Sequence, residues 1–398
     1  MKNLIIALTS MFLLAGCSMQ ESVELPEHIQ ELENLTIYSA DAEPAYQLHL
    51  EREQAFGDTD ENLIGNPGPL AVDHYGRVYI GDNQQKTVHI FQPDGSYLTN
   101  IGREGEGPGE FQWIGNMNIL SNQLFIYDPN GRRVNVYRLA AEPDQDPYSD
   151  PEFSHTINLS RETWDEVPGQ NFLNIGLHSV RSDHSLLLSS QNSPLLYRDD
   201  PDFKGFTRYY LTDPEGKDEP EMIFEQEMPK PIVTEWFVLP PPFLGRELMA
   251  RSVDDRIFST QTDDLLIKIH GPDGIYRRAF YYPFTKVALT REDAINSMDE
   301  HEQLQNAVRN MDLPDTWPAL NQLFTDDSNQ VWAATIVDDP EIYDWWIMKE
   351  DGELLARLSW PRNQDIRLVR NDFLYTRETD EETGLQQIVR YSMDLAEM

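Results

Sequence analysis

Asp73-His74-Tyr75-Gly76-Arg77, followed at once by Val78-Tyr79-Ile80-Gly81-Asp82, is a polar turn feeding a short apolar strand. Asp, Asn, Ser and Gly tolerate turn geometry, while β-branched and aromatic residues suit a pleated sheet, so the pair reads as half of a hairpin. The same phrase returns five times. Ser121-Asn122-Gln123 precedes Leu124 to Asp128, Ser182-Asp183-His184 precedes Ser185 to Leu188, and Asp254-Asp255 precedes Arg256 to Ser259. Asp327-Ser328-Asn329-Gln330 then precedes Val331 to Ala334, and Asn371-Asp372 precedes Phe373 to Thr376. A third strand and a second turn follow in several units: Val88 to Phe91, then Pro93-Asp94-Gly95 and Tyr97 to Ile101; Leu266 to Ile269, then Pro272-Asp273-Gly274 and Tyr276 to Tyr282; Trp345 to Met348, then Asp351-Gly352 and Leu354 to Trp360.

Four antiparallel strands per unit, repeated in phase, predict the blades of a β-propeller. A β-sandwich also uses short strands and turns, but it does not repeat the turn-strand-turn phrase in register. The sixth unit supplies three strands, Ile366 to Val369, Phe373 to Thr376 and Gln387 to Tyr391, before the sequence ends. Ala45-Tyr46-Gln47-Leu48-His49-Leu50 alternates apolar and polar residues and is expected to add the fourth, closing the ring. The fold class is therefore all-β, a six-bladed β-propeller with an N-terminal strand closing the last blade and one inserted helix over about 290–310. Thr290 with Asp293 three residues on resembles a capping box for that helix, and Pro314 and Pro318 end it. It is expected either to lie over a mouth of the propeller or to cover an exposed sheet edge.

Between the first two units runs Ile101-Gly102-Arg103-Glu104-Gly105-Glu106-Gly107-Pro108-Gly109-Glu110-Phe111. Glycines at this density can cradle a phosphate, but no Lys-Ser/Thr follows and no helix opens behind them. The segment reads as a tight crossing between blades with Phe111 in the core. Together with Val78 to Asp82 and Pro93-Asp94-Gly95, it resembles the six-bladed propeller lipoproteins common in Bacteroidetes-like bacteria, relatives of NHL-repeat propellers. The resemblance is strongest over residues 45–140 and weaker over 317–392. It implies the fold and a place in the cell envelope, and no settled activity.

The first residues point the same way. Lys2, an apolar run from Leu4 to Leu14, and then Leu14-Ala15-Gly16-Cys17 form a signal peptide whose apolar run is shorter than the roughly 20 residues of a membrane span. Cys17 directly after two small residues resembles a lipobox, and it is the only cysteine in 398 residues. It is the candidate lipidation site, taking a diacylglyceryl group while the new N-terminus is acylated, as by palmitate; several chains anchor far better than one. Ser18 in place of Asp is, by family analogy, compatible with the outer membrane. The expected organisation is signal peptide 1–16, lipidated tether 17–40 and propeller 41–398.

A net charge of −38 repels polyanions at long range and argues against a nucleic-acid partner. No His-Glu-x-x-His, Gly-x-Ser-x-Gly or Asp-x-Asp-x-Asn-Gly pattern occurs. His178 and His184 flank a strand pair without a third ligand in view, and neither a metal nor a cofactor is assigned. In so acidic a chain the cations near the channel stand out. Arg181 and Arg251 adjoin the inner strands of blades three and four, and Arg246 follows the proline-rich loop Glu235 to Phe243. With Trp236, Phe237 and Trp345 they are the candidate channel-mouth residues, suited to a sugar acid or a peptide carboxylate. The same arginines could equally pair with neighbouring carboxylates while the tryptophans pack between blades. The expected function is a monomeric, non-enzymatic binding or scaffold lipoprotein for a protein, peptide or glycan. The alternative is a metal-dependent lactonase or lyase, because gluconolactonase-type six-bladed propellers hold a divalent ion through Glu, Asn and Asp. Those ligands find no position-by-position match here.

Overall fold

The computed structural model describes residues 25–57, 64–140, 149–159, 172–200, 202–217, 219–234, 238–298 and 302–397, with side chains of the third blade's first strand from 175 on. From Glu33 to the C-terminus the chain is one compact unit; before it, residues 27–30 form a single helical turn. The large unit contains six four-stranded antiparallel blades. Their inner strands are Pro67–Val72, Asn116–Leu120, Phe172–Val180, Glu247–Arg251, Leu320–Thr325 and Asp365–Arg370.

One local device makes four of the blades. Asp73, Arg181, Ser252 and Asp326 each open a five-residue turn in which the first N–H donates to the fifth carbonyl and the fourth N–H to the first. The fourth residue is left-handed in every case: Gly76 at φ 81°, His184 at 68°, Asp255 at 67° and Asn329 at 62°. Gly and the short polar residues tolerate that region, which is why the repeat is legible as Asp, Asn and Gly clusters. Blades two and six use two-residue turns with both residues left-handed, Ser121 and Asn122, then Asn371 and Asp372; such turns match the right-handed twist of the strands they join. In blades one and five the opening aspartate also fixes the sheet behind it. Asp73 accepts from the Tyr75 and Arg77 amides, the Arg77 guanidinium and the Tyr79 hydroxyl. Asp326 accepts from the Ser328 and Gln330 amides and the Trp332 indole.

Each blade packs against a neighbour on both faces, and second strands such as Val78–Asp82 and Val331–Ile336 are buried throughout. Apolar layers fill five seams. Phe111 and Tyr79 lie between blades one and two, Val136 and Leu188 between two and three, Phe258 and Trp346 between four and five, Trp345 and Leu374 between five and six, and Ile80 and Tyr375 between six and one. The glycine-rich crossing behaves as a structural loop. Phe111 is fully buried, and the Arg133 guanidinium of blade two donates to the carbonyls of Gly105, Glu106 and Glu110.

The seam between blades three and four is polar. The Tyr209 hydroxyl donates to the Gln226 side chain, whose amide donates across the seam to the Leu248 carbonyl, both at 3.1 Å. Phe224 meets His270 edge to face across the same seam.

The ring closes through the N-terminal strand. Tyr46–Phe56 runs antiparallel to Gln386–Glu397, with a bulge between Arg52 and Gln54. The alternation seen over Ala45 to Leu50 thus extends to Phe56, which enters the core between blades six and one. A second segment was not foreseen. Leu35–Ile37 adds a parallel fifth strand to Tyr276–Tyr282 of blade four, and Tyr38 stacks on Tyr282 at 4.7 Å. The stretch from Glu33 is therefore bound structure, so a free tether reaching to residue 40 is too long. The inserted helix is also corrected: Arg291–Asn296 and Glu302–Arg309 are two helices. The capping box of Thr290 and Asp293 is present, and the first helix stops where the Ser297 hydroxyl turns back to the Ala294 carbonyl. Ala294, Met298, Leu304 and Val308 enclose Phe243 of the proline-rich loop, so helices and loop form a small core of their own on the side where the inner strands begin.

Gly274 tests the turn geometry. Its φ is 75°, and a Cβ there would stand 1.9 Å from the Ile223 carbonyl oxygen of the neighbouring blade. Gly274→Ala is expected to cost about 1–3 kcal/mol in urea unfolding, from left-handed strain and displacement of blade three.

Candidate functional site at the channel mouth

Val72, Leu120, Val180, Arg251, Thr325 and Arg370 end the six inner strands, and each pairs with the first residue of the strand that follows. They form one level of the channel. A cavity of about 440 Å³ opens there, walled by Leu70, Met117, Ile119 and Leu368, with Asn118, Arg251, Arg370 and Ser182 supplying polar groups. This is the end of the channel where the inner strands finish. A hollow exists at the other end too, beside Asn83, Trp113, Asn116 and Arg367. Its polar groups are already satisfied: Asn83 bonds both ways to the Ile114 backbone, Asn116 donates to the Leu177 and His178 carbonyls, and Arg367 pairs with Asp365.

At the first mouth Asp255 is the organising carboxylate. It accepts from the Ser182 amide at 3.1 Å and the Ser182 hydroxyl at 2.5 Å, pairs with Arg251, and lies 3.7 Å from Arg181 Nε. Arg181 and Arg251 meet at this shared aspartate, which is the pairing with a neighbouring carboxylate that the sequence left open. The left-handed turn position places Asp255 there. Arg370, which the sequence reading missed, has neither an ion pair nor a side-chain hydrogen bond among the described residues. Nε of Arg251, Nε of Arg370 and Nδ2 of Asn118 are shut off from solvent and make no hydrogen bond. The cue for Arg370 was its position: it precedes the sixth turn as Arg251 precedes the fourth.

Burial pushes the Arg251 pKa down, opposed by Asp255. Burial, and then the charge of Arg251, push His178 down to about 4. His178 sits edge-on to Tyr209 at 5.5 Å, and burial followed by the charge of Glu247 raises the Tyr209 phenol to about 12. At neutral pH both rings are uncharged, and the charge at the mouth belongs to the arginines and Asp255.

Residues 57–165, which take in the first two blades, match the family model DUF5128, described as a 6-bladed beta-propeller. The chain is a six-bladed β-propeller. A DUF4221 family member from Bacteroides vulgatus superposes with a TM-score of 0.51 at 11% identity, over 89% of this chain and 100% of that one. A protein of Bacteroides fragilis, provisionally described as exported, gives 0.49 at 12% identity over 90% and 99% of the two chains. At such identities the likeness concerns the fold. No curated protein matches the sequence.

The remaining predicted residues fall elsewhere in the propeller. Arg246 immediately precedes the inner strand that Arg251 ends, about 16 Å away at a strand's rise per residue, and it donates to the Asn321 carbonyl. Trp345 lies on the third strand of blade five, packed against Phe324 and Trp332 and 1% exposed, so it cannot line the mouth. Trp236, Phe237 and Cys17 lie outside the described residues. His184 occupies a turn. Among the described residues no three His, Cys, Asp or Glu side chains group as a metal site, and the Ser182 hydroxyl donates to a carboxylate, an arrangement with no imidazole base upon it.

Asp255→Asn keeps the left-handed turn and removes the charge shared by two arginines. It is expected to lower stability by about 3 kcal/mol in urea unfolding, the scale of breaking a buried ion pair. His178 has its folded pKa below the unfolded 6.5. Stability linked to it is therefore intact above pH 6.5 and is lost as pH falls towards 4. Its ring resonances should titrate with a midpoint near 4, and a midpoint near 6.5 would contradict the burial described here.

Proposed function

We propose that this protein is a non-enzymatic binding propeller of the cell envelope, anchored by lipid on Cys17, which presents its channel mouth to a protein, peptide or glycan. The observation that carries the reading is the mouth itself: a cavity walled by Leu70, Met117, Ile119 and Leu368 is also lined by the polar side chains of Asn118, Arg251 and Arg370, in a chain of net charge −38. Guanidinium and amide donors set beside an apolar wall suit a ligand that offers acceptors and an apolar body. The β-propeller supports the reading as a rigid platform whose function resides in its site.

Anchoring is supported by Leu14-Ala15-Gly16-Cys17, and no helix among the described residues is long and apolar enough to cross a membrane. A strongly acidic propeller is repelled by anionic headgroups, so a lipid on a polar tether holds it near a surface it does not itself adhere to.

Expression in a Gram-negative host should place the wild-type protein in the membrane fraction and Cys17→Ser in the soluble fraction. Equal partition of the two removes the anchor from the proposal. Purified protein should retain an envelope ligand without turning it over, and show no calcium- or zinc-dependent rise in Tm; a metal-dependent rise accompanied by turnover replaces this reading with a metalloenzyme.

A further inference from the structure

We propose that the channel mouth is a carboxylate site: Arg370 and Arg251, helped by Asn118, receive the carboxylate of a small organic acid whose apolar body rests on Leu70, Met117, Ile119 and Leu368. This deepens the binding-propeller reading and rests on it.

The polarity of the site selects the ligand. Every polar atom found without a partner at the cavity is a donor. The one carboxylate at its edge, Asp255, is already engaged by the Ser182 amide, the Ser182 hydroxyl, Arg251 and Arg181. The donors of Asn118, Arg251 and Arg370 on the lining suit an anion. Arg181 and Arg251 are balanced by Asp255 and, at longer range, by Asp183 and Asp254, while Arg370 makes no ion pair among the described residues and a neutral His178 adds no charge. Arg370 is the key cation because it makes no ion pair or side-chain hydrogen bond among the described residues, whereas Arg251 is held in place by Asp255.

The walls select the rest of the molecule. A bare inorganic anion would lose its hydration to an apolar lining without compensation, whereas an organic acid buries its body there and brings its charge to the guanidiniums. Planar guanidinium also matches planar carboxylate in two parallel hydrogen bonds. Arg251 and Arg370 occupy equivalent positions on blades four and six, so the two approach the ligand from different sides of the channel. That arrangement fixes the carboxylate at this level and leaves the apolar body to extend along the inner strands.

The test is calorimetric titration of the purified full chain with hexanoate, N-acetyl-Ala-Leu and glucuronate, each beside its neutral counterpart, hexanamide, the dipeptide amide and glucose, with inorganic phosphate as a control. At least one acid should bind at least about tenfold more tightly than its neutral partner, the scale of one charge-assisted contact. Which acid binds separates an aliphatic acid, a peptide C-terminus and a sugar acid as sources of the carboxylate. Arg370→Gln should weaken that acid about tenfold or more, and Arg370→Lys should restore part of the loss. Asn118→Asp, which sets a like charge against the ligand, should weaken it independently; Tm verifies that the variants are folded. The inference fails if acids and neutral analogues bind alike, if phosphate outcompetes every acid, or if folded Arg370→Gln binds as wild type. A chain that ignores all three acids yet holds an envelope ligand through Arg251 overturns the carboxylate assignment and leaves the binding-propeller reading standing. Turnover of a bound acid overturns that reading and leaves the carboxylate site intact.

Discussion

The pairing of Tyr46–Phe56 with Gln386–Glu397 is the constraint on which the rest depends. A propeller sheet is buried on both faces by its neighbours, so an incomplete sixth blade would expose apolar surface of blades five and one together with an open strand edge. Joining the two ends of the chain removes both defects at once. The pairing is also among the most distant in sequence that this protein makes, and distant pairings form late, after their loop-closure entropy has been met. Blade turns such as Gln92 to Ser96 can form locally; the ring requires the last residues.

Within that ring the seams differ. Five are filled by aliphatic and aromatic side chains, and such surfaces are stable but chemically mute. The seam between blades three and four carries Tyr209, Gln226, His270, Arg181 and Asp255 instead, and it leads to the cavity where Arg251 stands. Departures from simple core packing commonly coincide with sites that have something to bind. Here the departure is met at depth by the hydrogen bonds of Tyr209 and Gln226.

Blade number, turn positions and ring closure were legible because left-handed turn residues and apolar strands are written in the local composition. Gly95 and Gly274 mark turns as plainly in sequence as in φ. The site was less legible. Trp345 looked available, but the third strand of a blade turns both faces to other blades, and an aromatic there is core. Arg246 and Arg251 are five residues apart in sequence and lie towards opposite ends of one strand, a separation that proximity in the chain conceals. Arg370 was hidden because its cue is relational: only when the six turns are aligned does it fall at the level of Arg251. The parallel strand Leu35–Ile37 had no cue, since three residues are too few to show a period.

That short strand has a mechanical consequence. Any pull transmitted along the N-terminal segment meets blade four first, where three residues and the stacked ring of Tyr38 resist it in shear. The long strand that seals the ring lies downstream and is loaded only after this clasp yields. The molecule therefore carries a sacrificial fastening ahead of its structural one.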